Sequence, residues 1–572
     1  MKTCLRWAAW GIVTGAAASA QAPLYDVFSV VPGEKLGASV VGLGDIDGDG
    51  KGDFAIGCTG ADGAQAGSGV VRVYSGRTAA LIRQIDGERT GDNFGYALDW
   101  IGDVNGDGVR DLIVGAPDHE WTAGTNRGAV YVFSGANGAQ IWKLGGNADG
   151  DRLGFAVSRV PDVNFDGVDD FAFSKPWGDS GGLTDCGVVW IHSGATNTSL
   201  RLYTGAASGD HFGYSLDGIS DVNADGRGDL LIGAPQADAA GIFDSGRVYR
   251  ASGAANNTYL TTYSGSTSAG WFGHTVAGLP DTTGDGIPET LVGEPFVSVG
   301  GVAGSGRVRA YSGSTGAILL TLTGAQSDEY GWVMSAMEDF DGDGKGDVLV
   351  GVPNAEWGSL SNAGLGLVFS GANGAPLGGM TGYYAGEGFG RAIGDAGDIN
   401  GDGFHEAIAG SRTYNLYGTD AGRARLIFGN ADFPTSYCTG KTNSQGCDPL
   451  ITYGGSASVS VGVLQLVGRN VLPNVSGILI WSLTQASTPF YGGTLCVAAP
   501  IRRTPVQLSV SSPSPAYLCD GVYSTTFTYS DLTAAGLAPG MVMYAQYWSR
   551  DNGFVPPNNI GLTNGIAVPI LP

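Results

Sequence analysis

Seven nonapeptides in this chain carry oxygen-bearing side chains at positions 1, 3, 5 and 9 and glycine at position 6. A hard cation such as calcium takes about six to eight oxygens, and a loop of this spacing can wrap one ion. Glycine at position 6 reaches φ > 0, so the chain can fold back and turn a position-7 carbonyl inward. The first loop offers Asp45, Asp47, Asp49 and Asp53, and the sixth Asp339, Asp341, Asp343 and Asp347. These all-carboxylate loops are expected to bind most tightly. Three loops exchange the second acid for an amide: Asp103, Asn105, Asp107, Asp111; Asp162, Asn164, Asp166, Asp170; and Asp221, Asn223, Asp225, Asp229. The seventh uses Asp398, Asn400, Asp402 and Glu406. The fifth, Asp281, Thr283, Asp285 and Glu289, lacks one strong oxygen and is the weakest of up to seven structural calcium sites. An EF-hand is excluded, because its bidentate glutamate at position 12 is replaced by Ile56 in the first loop and Val114 in the second.

Other chemistry is sparse. The five histidines lie between His119 and His405, and no nucleophile, zinc, phosphate-loop or dinucleotide motif stands in a suitable context. No catalytic residues are assigned. Arg227-Gly228-Asp229 spells an adhesion triplet, but Lys51-Gly52-Asp53 and Lys345-Gly346-Asp347 fill the same slot in sister loops. Loop chemistry therefore explains it.

The elements that position these loops repeat with them, about every 59 residues, a period of propeller-blade type. Each unit runs through an aromatic-Gly pair, an apolar run, the acidic loop, a second apolar run, a Gly-rich connection and two more apolar runs. These runs are short, rich in Val, Ile, Tyr and Phe, and bounded by Gly, Asn and Asp, so each unit is expected to fold as four antiparallel strands. The fold class is all-β, a seven-bladed propeller over residues 24–430.

The units resemble FG-GAP repeats, which build the propeller of integrin α-subunits and occur in bacterial secreted proteins. The first element stands as Phe94-Gly95, Phe212-Gly213, Phe272-Gly273 and Phe389-Gly390, with Leu36-Gly37, Leu153-Gly154 and Tyr330-Gly331 as variants. The second stands as Gly115-Ala116-Pro117 and Gly233-Ala234-Pro235, relaxes to Gly293-Glu294-Pro295 and Gly351-Val352-Pro353, and is degraded in units one, three and seven. The resemblance implies a propeller with calcium sites and no particular ligand.

The N-terminus, with Lys2, Arg6 and an apolar stretch ending in Ala18-Ser19-Ala20, reads as a signal peptide over residues 1–20, and hence a secreted protein. No later segment is long and apolar enough for a transmembrane helix. Six units have an outer fourth strand and the seventh lacks one, so the segment from Tyr25 to Pro32 is expected to complete that blade. Residues 435–572 lose the repeat and read as a β-sandwich-like domain. Its Cys438, Cys447, Cys496 and Cys519 admit three pairings, of which proximity favours Cys438 with Cys447 and Cys496 with Cys519.

A net charge of −24 excludes a nucleic-acid partner. The expected function is binding of a protein or glycan partner, as in adhesion. The alternative is a polysaccharide lyase or hydrolase on a calcium-stabilised propeller. Strand alternation puts the acidic loops on one face and the longer connections on the other. Those connections carry Trp121, Trp177, Phe243, Phe296, Trp357, Tyr414 and Tyr417, the candidate binding residues.

Overall fold

The second strand of every unit starts at the loop's last acid and then runs through mostly apolar or small residues without the alternation of a half-exposed strand, so both its faces must be covered. Asp53–Cys58, Asp111–Ala116, Asp170–Lys175, Asp229–Ala234, Glu289–Glu294, Asp347–Val352 and Glu406–Ser411 are each buried at all six positions. Neighbouring sheets supply the cover. Leu112 and Val114 of unit two, for instance, share a core with Ala55, Val71 and Val73 of unit one. The fourth strands, such as Leu81–Asp86, expose most of their residues, as outer edges do.

A computed structural model describes residues 25–121, 125–324, 328–357, 360–400, 403–415, 418–427, 429, 435–438, 440–446, 449–455, 463–509, 521–538 and 541–570. The expected signal peptide, Asp402, Tyr417, Cys447 and Cys519 lie outside these residues. The first compact unit spans Tyr25–Ile427 and the second Phe428–Pro572. The first holds seven four-stranded antiparallel sheets, the blades of a propeller. Successive first strands touch one another, and that of blade seven, Ala392–Gly397, touches that of blade one, Leu36–Gly44, so the ring is closed. Six blades take their strands in chain order, and the seventh takes its outer strand from Tyr25–Phe28, with Tyr25 opposite Leu426 and Phe28 opposite Arg423.

The innermost strands have an unpaired edge, and side chains from the preceding blade cap its amides. Asp99 accepts from the Arg159 amide at 2.8 Å, the Ser158 hydroxyl from the Gly218 amide at 3.0 Å, and Asp217 from the Gly278 amide at 2.7 Å.

Buried ion pairs and hydrogen bonds anchor the segment entering each blade. Two residues before the FG position stands an acid in six units, and in four of them it meets a base of its own blade. Glu34 pairs with Arg72 at 2.7 Å, Asp92 with the His119 ring at 2.6 Å, Asp151 with Lys175 at 2.7 Å, and Glu387 with Arg423. In unit five the position is Gly270, and a Cβ there would meet the carboxylate of Glu294 at 2.9 Å. Glu294, the residue that breaks the GAP motif, occupies the missing acid's place and pairs with Arg307, whose Nε donates at 2.9 Å. Glu294→Ala is expected to destabilise the chain by about 2–4 kcal/mol, since it leaves Arg307 buried without its acid. Adding Gly270→Asp should recover part of that loss in urea denaturation. Failure of the second change to help would show that the two positions are not exchangeable.

The second unit contains two main sheets and a two-stranded hairpin, Gln485–Phe490 with Gly493–Val497, that carries Cys496. One orders Thr435–Tyr437, Gly565–Pro569, Val542–Arg550, Ser476–Ser482 and Arg502–Arg503, and the other Leu450–Gly455, Val463–Val471 and Gly521–Thr528. Leu464, Leu466 and Tyr523 of the smaller sheet share a core with Leu479, Trp481 and Tyr547 of the larger. The sheets also correct the disulfide expectation: Cys438 bonds Cys496, with Cα atoms 6.0 Å apart, and not Cys447. The proximity rule fails because sheet pairing, which sets Tyr437 against Gly565, places the end of the first strand by its spatial neighbours and not by its neighbours in the chain. Cys58 and Cys186 are buried free thiols.

Candidate functional site

The acidic loops join the first and second strands of every blade and so share one face of the ring. Their shape comes from position 1. Asp103 Oδ1 accepts from the Gly106 and Asp107 amides at 2.7 and 3.0 Å, and its Oδ2 from Gly108 at 2.6 Å. Position 6 is left-handed throughout, with φ from +81° to +94° at Gly50, Gly108, Gly167, Gly226, Gly286, Gly344 and Gly403.

Position 9 serves two masters. Asp53, Asp111, Asp170, Asp229, Glu289, Asp347 and Glu406 are all 0% exposed. In the second loop Asp111 Oδ2 accepts from the Val104 amide at 2.9 Å and Oδ1 from the Gly135 amide at 3.0 Å, pinning the loop to the turn between strands three and four. Burial pushes Asp170 and Asp347 up to about 7 and Asp111 and Asp229 up to about 6, with neighbouring loop acids adding to the rise.

In loop one the carboxylates of Asp45, Asp47 and Asp49 offer oxygens within 4.8 Å of one another, as do those of Asp339, Asp341 and Asp347 in loop six. These all-oxygen donor sets fit a hard divalent cation. The amide-bearing loops partly satisfy themselves: Asn105 Nδ2 donates to Asp107 at 2.8 Å, Asn164 to Asp166 at 2.8 Å and Asn223 to Asp225 at 2.9 Å. In loop seven Asn400 donates to Glu406 at 2.9 Å. In loop five the Thr283 hydroxyl donates to Asp281 at 3.3 Å, while the Thr282 amide is held by Glu289 at 3.2 Å. The Arg227-Gly228-Asp229 triplet is not presented as an adhesive tip. Arg227 covers the Phe165 ring at 4.1 Å, and Asp229 is buried.

The opposite face holds an arrangement the sequence reading missed. The residue after the FG glycine is a ring in five consecutive blades: Tyr96, Phe155, Tyr214, His274 and Trp332. Because these residues stand where the seven innermost strands begin, they encircle the axis, and each touches the next, with centroids 5.2, 5.0, 5.1 and 4.8 Å apart. Burial pushes His274 down to about 4, so its ring stays neutral and stacks. An aromatic recurring after FG was the available signal.

Of the aromatics expected to line this face, Trp177 packs on Phe155 at 5.0 Å and Phe296 on Trp271 at 5.0 Å, both extending the collar. Phe243 is 64% exposed. Trp121 lies under Lys143 at 4.5 Å, and Trp357 packs on the core of blades five and six. Tyr414 corrects the expectation: it is 4% exposed, closed in beneath the buried Arg423 guanidinium at 4.3 Å.

Comparison with known proteins matches the FG-GAP repeat at residues 94–133, 212–249 and 330–369. The chain is 32% identical over 233 residues to integrin alpha-V of Gallus gallus, covering 38% of this chain and 22% of that protein. It is 35% identical over 231 residues to integrin alpha-PS2 of Drosophila melanogaster, covering 37% and 16%. Integrin alpha-6 of Homo sapiens is 33% identical over 166 residues, covering 28% and 14%. The chain thus spans less than a quarter of the length of these relatives. With seven units folded as blades and three of them matched directly, the chain carries FG-GAP repeats and is similar to the integrin alpha-subunits.

Proposed function

We propose that this chain is a secreted, calcium-binding propeller that holds a protein partner on the face opposite its acidic loops and does no chemistry on it. The continuous arc of five touching rings carries this reading. Rings fixed on strand ends of a rigid scaffold offer desolvated contact area at little entropic cost, the property of interface anchors. The loops point elsewhere. Their carboxylates are engaged by backbone amides and by Asn and Ser side chains, which suits structural calcium, not acid–base work. The likeness to integrin alpha-subunits supports the same division.

The test is a binding screen against extracellular-matrix proteins with wild type and a Trp177→Ala, Trp332→Ala double variant, in calcium buffer. Loss of about tenfold or more in affinity, with an unchanged melting temperature, is expected. Binding untouched by the double variant would move the site off the collar, and turnover of any screened polysaccharide would overturn the non-catalytic reading.

A further inference from the structure

The collar spans five blades and lacks a ring in the two that adjoin its ends, where blade one has Ala38. Blade seven departs twice: Arg391 stands where five blades carry a ring, and Arg412 where five carry proline. Both departures fall at the same end of one sheet. Ala392 pairs with Gly410, so the next step outward sets Arg391 opposite Ser411, with Arg412 adjoining. Arg391 caps the Trp332 end of the collar, its guanidinium 5.4 Å from the ring centroid.

Both guanidinium groups are half-buried, and among the described residues neither has an ion pair or hydrogen bond. The other arginine beside the collar has an acid partner: Arg152 lies over Trp177 and meets Asp118 at 3.5 Å. The acid whose charge reaches Arg391, Glu329, makes no hydrogen bond to it and accepts from Asn354 at 2.6 Å. Burial and then the Arg412 charge hold the Arg391 guanidinium below the usual arginine range, and Glu329 offsets only part of this.

We propose that Arg391 and Arg412 form a carboxylate-binding site at the rim of the aromatic collar, and that its ligand is a glutamate or aspartate side chain of a partner protein. The proposal rests on the reading of the collar as a partner-binding face. Two planar forks fit a carboxylate through parallel hydrogen bonds. A peptide fits better than a sugar acid, because the collar rings are tilted against one another, at 38° for Tyr96 on Phe155 and 53° for Phe155 on Tyr214, and Phe155 meets Trp177 edge to face at 81°, so they form no flat platform for sugar stacking. The acidic loops lie on the other face, and at physiological salt their field is screened beyond about 8 Å.

The experiment uses the full chain in calcium buffer and three immobilised peptides, Gly-Ser-Phe-Glu-Tyr-Ser-Gly and its versions with Gln or Lys at the centre. Wild type should prefer the Glu peptide over the Gln peptide by about tenfold or more. Arg391→Tyr and Arg412→Pro, which install the residues of sister blades and should melt as wild type does, are each expected to abolish that preference, and Arg412→Ala likewise. Equal binding of Glu and Gln peptides, preference for Lys, or full discrimination by either variant would overturn the site. If binding then persists without charge preference and is lost in Trp332→Ala, the collar stands and only the carboxylate site falls. Binding of no peptide removes both. Tighter binding of oligogalacturonate than of the Glu peptide, lost in the same variants, would overturn the peptide assignment in favour of an acidic glycan.

Discussion

Excess chelator is expected to lower the melting temperature of the propeller by about 10 °C or more and to leave the C-terminal unit unchanged. Calcium loops of extracellular modules bind at about 10⁻⁴–10⁻³ M. At ten times such a dissociation constant each site contributes about 1.4 kcal/mol, so seven sites sum to about 10 kcal/mol, a large fraction of any domain's stability. Loops one and six should dominate, because their clustered carboxylates repel one another without a cation, whereas Asn105, Asn164 and Asn223 already donate to the acid beside them. The acid groups able to share a cation all lie in the first unit among the described residues, which is why the second should not respond. The effect has a pH signature. The position-9 aspartates are raised in the metal-free fold, to about 7 for Asp170 and Asp347, so that state binds more protons than the unfolded chain between the ordinary carboxylate range and pH 7. Metal-free stability therefore falls as pH rises through that window. Calcium needs the ionised carboxylates, so the gap between calcium-loaded and chelated melting temperatures should be widest above pH 7 and should shrink below pH 6. Identical melting curves with and without chelator at pH 7.5 would remove the calcium assignment.

Deleting Tyr25 to Phe28 is expected to cost more than any single substitution on the molecule's surface and to turn a monodisperse protein into an aggregating one. The strand contributes the outer edge of blade seven, and without it Arg423–Ile427 presents an open row of amides and carbonyls. It also contributes Asp26, whose carboxylate lies 3.3 Å from Arg425 and 3.8 Å from Arg423. Arg423 is wholly buried and Arg425 nearly so, and Glu387 pairs with Arg423. Removing one partner of a buried pair costs about 3–5 kcal/mol, and because the Asp26 side chain is 29% exposed a smaller loss, about 1–3 kcal/mol, is expected for Asp26→Asn. Asp26→Glu should restore part of it. Urea denaturation and size-exclusion chromatography read both effects. A deletion variant as stable and monodisperse as wild type would mean that the ring does not depend on this latch.

What the sequence by itself determined is what is written in contiguous residues. The strand–loop–strand unit, its sevenfold recurrence, the left-handed glycine of each loop and the blade left short of a strand all follow from short-range pattern, because a hairpin's turn chemistry and alternation are local. The missing strand could be assigned to Tyr25–Phe28 because a closed ring leaves only one free edge to fill.

The tertiary structure alone decided whatever depends on residues from separate segments meeting. Glu294 reads as a degraded motif until it is seen in the space that Gly270 leaves empty. The ring after FG looks like strand packing in any single unit, and becomes a collar only when the innermost strands converge on one axis. Tyr414 resembles the other loop aromatics in sequence, yet the Arg423 guanidinium that closes over it comes from the next strand. Cys438 finds Cys496 across 58 residues because sheet pairing, not chain distance, sets which Cα atoms come within disulfide reach. Periodic local chemistry survives in one dimension, whereas contacts between units are fixed by ring closure and sheet register, which a linear pattern does not encode.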